Sequence, residues 1–285
     1  MAGKSAVPFS APSRGRSLVA LTTCGRPGLV AKHLPGLQAK VKALASFELV
    51  LVIDGISLLP NRETLALAQR MGVNCIIADQ PEGVGVAKNR VMSLLGDYDF
   101  YFFIEDDVEV LSSDLFTGHL SAYQETGIHH FSLHEPSRLL EECQPTFFLH
   151  STKEGSGEKK MIRHARFGSA QVNFFSRQAL ARVGGWHRQF SRLRRGGHTE
   201  HSYRIFNAGL TPAPFNYIGH LDSSCRWHNP PSIVSCAGHP VAANRLFEIE
   251  NTLISQQLGP QAWYAEYPGR LCLHGKGGQD AYCYL

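Results

Sequence analysis

Between residues 17 and 110 the chain alternates short, unbroken apolar runs with stretches of helical spacing. The runs are SLVALTT at the head of 17–28, FELVLVIDGIS at 47–57, VNCIIAD, and DFYFFIEDDVEV at 99–110. None shows the apolar/polar alternation of a half-buried strand, so each is read as a strand covered on both faces, the habit of parallel sheets. Between them lie VAKHLPGLQAKVKAL, whose helical spacing is broken by Pro35, the helix NRETLALAQRM at 61–71, and PEGVGVAKNRVMSLLG, a Gly-containing loop leading into a helix. Strand, helix, strand, helix, strand predicts an α/β fold with helices on both faces of a mostly parallel sheet.

After residue 111 the regularity weakens. Residues 144–176 read as two strands, PTFFLHST and RHARFGSAQVNFFS, joined by the polar KEGSGEKKMI. RQALARVGGW reads as a helix ending at Gly184-Gly185, and HTEHSYRIFNAG as one stopped by Gly209. A helical stretch at 238–258 precedes a Gly- and aromatic-rich tail that the pattern does not place. There is no internal repeat.

Composition changes this picture little. Hydrophobic residues make up 43% and charged residues 18% of 285, which suits a folded α/β chain and excludes general disorder. A net charge of +4 permits an anionic ligand without requiring one. Seven scattered cysteines without a CxxC pair are neither a disulfide framework nor a zinc site and suit a reducing, cytoplasmic setting. The N-terminal MAGKSAVPFSAPSRGRS is basic, lacks the apolar core of a signal peptide and reads as a loose arm over 1–16. No apolar run approaches membrane-spanning length, so no membrane span is expected.

The candidate chemistry gathers where the strands end. Thr22, Thr23, Asp54 and the triplet Glu105-Asp106-Asp107 follow the C-terminal ends of predicted strands, the edge where open α/β sheets bind ligands. Three adjacent carboxylates repel one another and need solvation or a cation. A lone acidic triplet is more often a solvated turn. At the end of a buried strand it also suits Mg²⁺ or Mn²⁺ held by a few carboxylates and substrate phosphate oxygens.

In order, these motifs resemble the family 2 glycosyltransferases of the GT-A fold. LVALTTCGRPG is similar to that family's first strand and donor loop, LVLVIDGIS to its second strand ending in aspartate, and GVGVAKNRVMSL to its Gly-Ala-Arg-Asn helix start. DFYFFIEDDVEV is similar to the strand bearing its DxD motif, ALARVGGWHRQF to its acceptor-side Gly-Gly-aromatic segment, and GGHTEHSYRIFNAG to the helix that opens with Glu-Asp. The resemblance covers residues 17–230, and implies a donor half over 17–110 and an acceptor half, with a hairpin, over 111–230. Residues 231–285 are then a helical or irregular extension packed on the same domain.

The implied activity is metal-dependent, inverting transfer of a sugar from a nucleoside-diphosphate sugar, a UDP-sugar first, to an acceptor hydroxyl. By this resemblance Asp54 contacts the nucleotide base, and Glu105 and Asp106 lie at the donor. Asp107 binds Mn²⁺ or Mg²⁺, with His228 in SSCRWHNPP as a late ligand. Thr22 and Arg26 lie on the nucleotide loop, and Lys88 and Asn89 on the helix start facing it. Trp186 stands on the acceptor side, where Arg192, Arg194 and Arg195 suit an anionic acceptor: a phosphorylated glycan, a lipid phosphate, or a hydroxymethylated base in DNA.

The sequence departs from the family at the catalytic base. Gly197 and His198 stand where Glu-Asp is usual, and Glu200 is the nearest carboxylate. Glu200 is the first choice for the base and His198 the second, and either residue alternatively only caps the helix. Two other functions remain open. A nucleotidyltransferase needs a Gly-rich, basic loop after strand one, of which TTCGRPG is a poor version. A non-catalytic nucleotide-sugar or glycan-binding protein is suggested by the missing Glu-Asp.

Overall fold

The structure is a computed structural model that describes residues 15–133, 146–149, 161–164, 169–187, 190–191, 197–228, 270–274 and 280–284. Of 146–149, 161, 270–274 and 280–284 it describes the backbone alone. Strands β1 (Ser17–Thr23), β2 (Phe47–Ile53), β3 (Asn74–Ile77) and β4 (Phe100–Glu105) lie parallel in the order β3-β2-β1-β4. Helices α1 (Pro27–Lys42), α2 (Leu59–Met71) and α3 (Val84–Arg90) connect them, α3 running on into a 3₁₀ turn, Val91–Leu94. The two remaining N-terminal elements are β5 (Val108–Val110) and α4 (Asp114–Thr126).

The unbroken apolar runs are explained by what each strand face meets. Val19, Leu21, Leu51, Ile53, Phe102 and Ile104 pack on one side with Leu34 and Leu37 of α1 and Phe116 of α4. Their neighbours Leu18, Ala20, Val50, Val52, Tyr101 and Phe103 pack on the other with Ala87 of α3. Because side chains alternate across a strand, a sheet covered on both faces needs apolar residues at every position. Removing a Phe102-sized side chain from water contributes about 2 kcal/mol.

Several boundaries differ from the pattern. Pro35 does not break α1, which runs through it with Val30, His33, Leu34, Leu37 and Val41 buried on one face. Burial of that face outweighs the one backbone donor a proline removes. RHARFGSAQVNFFS is two strands in different sheets, β8 (Met161–His164) and β9 (Val172–Ser176). β8 pairs antiparallel with β7 (Thr146–Leu149) and with β10 (Asn216–Ile218), while β9 runs antiparallel between β4 and β6 (His130–Leu133). Neither α4 nor β6 was legible, since both mix polar residues into short apolar stretches.

Two further helices cover the second face: α5 (Arg177–Val183), ended by Gly184 at φ +78°, and α6 (Gly197–Asn207). β11 (Cys225–Trp227) pairs antiparallel with β5, opposing Trp227 to Val108. In the tail, β12 (Arg270–His274) and β13 (Asp280–Tyr284) are strands, with β12 joining the main sheet beside β3. That replaces a helical or irregular reading of those residues. The helical reading of 238–258 lies outside the described residues.

Candidate active site

The C-terminal edge of the parallel strands carries the polar residues expected there. Thr22 on β1 lies opposite Glu105 on β4, and the chain turns at Asp106-Asp107 before β5. The triplet is met by cations of the chain itself. Arg26, at the start of α1, donates to Asp106 Oδ2 through Nε at 3.2 Å, pairs ionically with Asp106 Oδ1 through Nη2, and approaches Asp107 to 3.7 Å. Lys88, 1% exposed, reaches Glu105 at 2.9 Å and also donates to the Ala170 carbonyl at 2.7 Å.

These contacts divide the three carboxyls. Burial pushes Glu105 up, but Lys88, with smaller help from His198 and Arg26, outweighs it and holds Glu105 below the ordinary carboxylate range. Asp106 is fully buried, accepts a 2.5 Å bond from the Thr23 hydroxyl, and is pushed up to about 7, chiefly by burial and against the pull of Arg26. Asp107 is raised by burial and then by Glu105, against Arg26 and a bond from Gln171. Its Oδ1, like Oδ1 of Asp106, is buried with no hydrogen-bond partner, but Asp106 has the Thr23 hydroxyl and a close Arg26 ion pair while Arg26 comes only to 3.7 Å of Asp107. Asp107 is therefore the member of the triplet least satisfied by the protein, and its donor set fits a hard divalent ion.

Other predicted residues face inward. The Thr22 hydroxyl donates to the Ile104 carbonyl at 3.2 Å, and its own carbonyl accepts from Asp106 N, so it braces β1 against the triplet. Asp54, 2% exposed, accepts from the backbone of Glu82 at 3.1 Å and of Gly83 at 2.8 Å, and from Arg90 at 3.2 Å. Burial raises its pKa despite these donors. Its carboxylate thus holds the loop before α3, with Arg90 tying in Glu82 as well.

Asn89 and Trp186 are corrected in the same way. The Asn89 amide donates to the Trp186 carbonyl at 2.7 Å and its oxygen accepts from Trp186 N at 2.6 Å, so Asn89 clamps backbone and does not face the nucleotide edge. Trp186 is 3% exposed, edge-on to Phe103 at 5.0 Å and beside His201 at 4.5 Å. It is a core residue and offers no acceptor platform.

At the base position, Glu200 is 1% exposed and both its oxygens bond Arg204, the second at 2.9 Å. Arg204 in turn donates to the carbonyls of Val183 and, at 2.6 Å, Gly185. Burial raises the Glu200 pKa against Arg204. This pair fastens α6 to the end of α5 and leaves Glu200 no open oxygen for an acceptor. His198, half-buried in the first turn of α6, is close enough to Glu105 to lower its pKa.

His228 follows β11, and its backbone N donates to the Asp107 carbonyl at 2.8 Å. Its imidazole donates to Glu109 at 3.2 Å and stacks on His33 at 4.8 Å, so it joins a different set of groups from the Asp107 carboxylate. Thr23 was expected at this edge without a role of its own, whereas His33, Arg90, Glu109 and Gln171 were not singled out from the sequence. Only Glu109 had a visible signal, being two residues from Asp107 on a strand. Arg192, Arg194 and Arg195 lie outside the described residues. Among the described residues, no helix is long and apolar enough to cross a membrane.

No family model matches the chain, and no curated protein matches it in sequence. Solved structures do match in shape. A mannosyltransferase, PcManGT from Pyrobaculum calidifontis, in complex with GDP-Man and Mn²⁺, superposes with a TM-score of 0.51 at 12% identity over 72% of this chain. The chain spans only 57% of that protein's length. S. aureus TarS 1-349 in complex with UDP-GlcNAc gives a TM-score of 0.58 at 11% identity, over 88% of this chain and 71% of TarS. The same TarS segment in complex with UDP gives 0.51 at 10% identity, over 88% and 70%. With four parallel strands in the order β3-β2-β1-β4 and an acidic turn closing β4, the chain has the GT-A fold of these glycosyltransferases.

Proposed function

We propose that the chain is a metal-dependent, inverting glycosyltransferase that moves a sugar from a nucleoside-diphosphate sugar, a UDP-sugar first, to an acceptor hydroxyl. The observation that carries this reading is Asp107: a carboxylate at the ligand-binding edge of a GT-A sheet, with Oδ1 buried and unpartnered while Arg26 and Lys88 engage its neighbours. Asp107 would hold a Mn²⁺ or Mg²⁺ ion, which when bound would supply positive charge against the leaving diphosphate. Arg26 and Lys88 add positive charge on the same edge, and Asp54, Asn89 and Thr22 fix the loops that carry it.

In transfer, the acceptor oxygen forms a bond to the anomeric carbon, the bond from that carbon to the diphosphate oxygen breaks, and the acceptor proton goes to a base. His198 takes this proton on an imidazole nitrogen, since Glu200 is closed off by Arg204 and His198 stands in the half-open first turn beside Glu105. The acceptor is anionic, a phosphorylated glycan, a lipid phosphate or a modified nucleic acid; that reading rests on the basic run at 192–195.

Incubation with a panel of UDP- and GDP-sugars, Mn²⁺ and acceptors is expected to release nucleoside diphosphate. Asp107→Asn lowers kcat by about 10²-fold or more, the scale of losing charge stabilisation in a transition state. His198→Ala lowers it by about 10²-fold. Full activity in His198→Ala removes the base assignment, and release of pyrophosphate instead makes the chain a nucleotidyltransferase.

One observation favours a second reading, a sugar-nucleotide-binding protein without transfer. The carboxylate nearest in sequence to the family's base position, Glu200, is sequestered by Arg204. Binding of a UDP-sugar with neither transfer nor donor hydrolysis in Mn²⁺ would establish it.

A further inference from the structure

Beside the triplet, three potential ligands meet from three separate elements. His33 comes from α1, Glu109 from β5 and His228 from the residue after β11. Each offers a ligand atom within 4.8 Å of the other two. They come together because β5 and β11 pair antiparallel, with Val108 opposite Trp227, and α1 packs over β5.

The protonation of His33 is fixed by its partner. Its Nδ1 lies 2.9 Å from the Asp106 carbonyl, which only accepts, so Nδ1 carries the hydrogen. In the neutral ring Nε2 is then a bare lone pair, and it is buried with no partner in a residue 4% exposed. A histidine anchored through one nitrogen to a backbone carbonyl, with the other presented bare, is the arrangement typical of metal-ligating histidines. On the other side of the cluster, His228 Nε2 and the exposed Arg226 share Glu109 Oε2, at 3.2 and 3.1 Å. Those bonds satisfy Glu109 and His228 but leave His33 Nε2 unmatched.

We propose that His33, Glu109 and His228 bind one transition-metal ion of the zinc type, at a site distinct from the Asp107 carboxylate. Two imidazoles and one carboxylate suit Zn²⁺, Co²⁺ or Ni²⁺ and disfavour Mg²⁺, which selects oxygen ligands. Bonds of about 2.0–2.2 Å bring tetrahedral ligands to about 3.4 Å from one another, so atoms now within 4.8 Å close by up to about 1.4 Å. His228 and Glu109, each about a quarter exposed, have room for that movement. The ion cross-links α1, β5 and the segment after β11. It also steadies the acidic turn, because His33 holds the Asp106 carbonyl and His228 N holds the Asp107 carbonyl. None of this depends on sugar transfer.

The test uses the full chain, stripped with a chelator and titrated with Co²⁺ without any nucleotide sugar. Wild type is expected to take up one equivalent with the visible absorption of a low-symmetry site, and Zn²⁺ is expected to displace it and raise Tm. His228→Ala and Glu109→Gln each weaken Co²⁺ binding by at least about tenfold, and Asp107→Asn leaves it unchanged. Metal-free circular dichroism and Tm checks that each variant folds, and two independent variants guard against a fold defect in one. No stoichiometric uptake by wild type, wild-type affinity in both ligand variants, or loss of the signal in Asp107→Asn overturns the proposal. Sugar transfer is read separately with Mn²⁺, so failure of one reading does not imply failure of the other.

Discussion

His119 shows how burial sets chemistry at a single residue. It sits in α4 with no exposed surface, donates from Nδ1 to the Leu115 carbonyl at 2.6 Å, and stacks on Phe174 at 5.8 Å. Burial drives its pKa down to about 4 from an ordinary 6.5. Between those values the unfolded chain binds a proton that the folded chain does not, so stability falls as pH drops from 6.5 towards 4 and is fully present above 6.5. The difference is about 3 kcal/mol for this residue. Urea denaturation across that window is expected to show a smaller acid loss in His119→Phe than in wild type; parallel pH slopes in the two proteins would contradict the assignment. The same desolvation acts on Glu200, where Arg204 offsets it only in part and makes the residue a fastener.

Between elements, the loop from α5 to Trp186 depends on glycine for a steric reason. A Cβ on Gly185 would lie 2.0 Å from Asn89 Oδ1, the atom that accepts from Trp186 N. Gly185→Ala must therefore break the two-bond clamp between α3 and this loop, leaving the buried Asn89 amide unsatisfied. We expect a loss of about 2–4 kcal/mol from two hydrogen bonds and a clash in a packed region. Chemical denaturation measures it, and a loss below about 0.5 kcal/mol would show that the loop relaxes freely. The family-like GGW segment thus acts here through its backbone, with Trp186 filling the core beside Phe103 and Phe175.

At the scale of the molecule, the C-terminal edge of the parallel sheet collects groups from β1, α1, α3, β4, β5 and the segment after β11. Anything that binds this edge in the folded state alone raises stability by mass action. A UDP-sugar with Mn²⁺ at about a hundred times its Kd adds about 2.7 kcal/mol, which for a chain of this size shifts Tm by about 5–10 °C. Differential scanning fluorimetry against UDP- and GDP-sugars reads that shift directly. An unchanged Tm with every donor, at concentrations that saturate related enzymes, would argue against a nucleotide-sugar site.

Much of the donor half was legible because its signal is local. Continuous apolar runs mean strands buried on both faces, and their ends, at Thr23, Asp54 and Glu105, mark a ligand edge whatever the rest of the chain does. The order of motifs likewise carried the GT-A expectation that the sheet order β3-β2-β1-β4 bears out. Side-chain direction was not legible, because it depends on partners far away in sequence. Asn89 turns to Trp186, Asp54 to Glu82, Gly83 and Arg90, and Glu200 to an arginine that also needs Val183 and Gly185. Tertiary structure alone decided that the triplet's repulsion is offset by Arg26 and Lys88, and that His33 and His228, 195 positions apart by number, face one carboxylate. The sequence determined where carboxylates accumulate; packing determined which of them remain short of a partner, since satisfaction of a buried polar group is a property of its three-dimensional neighbours.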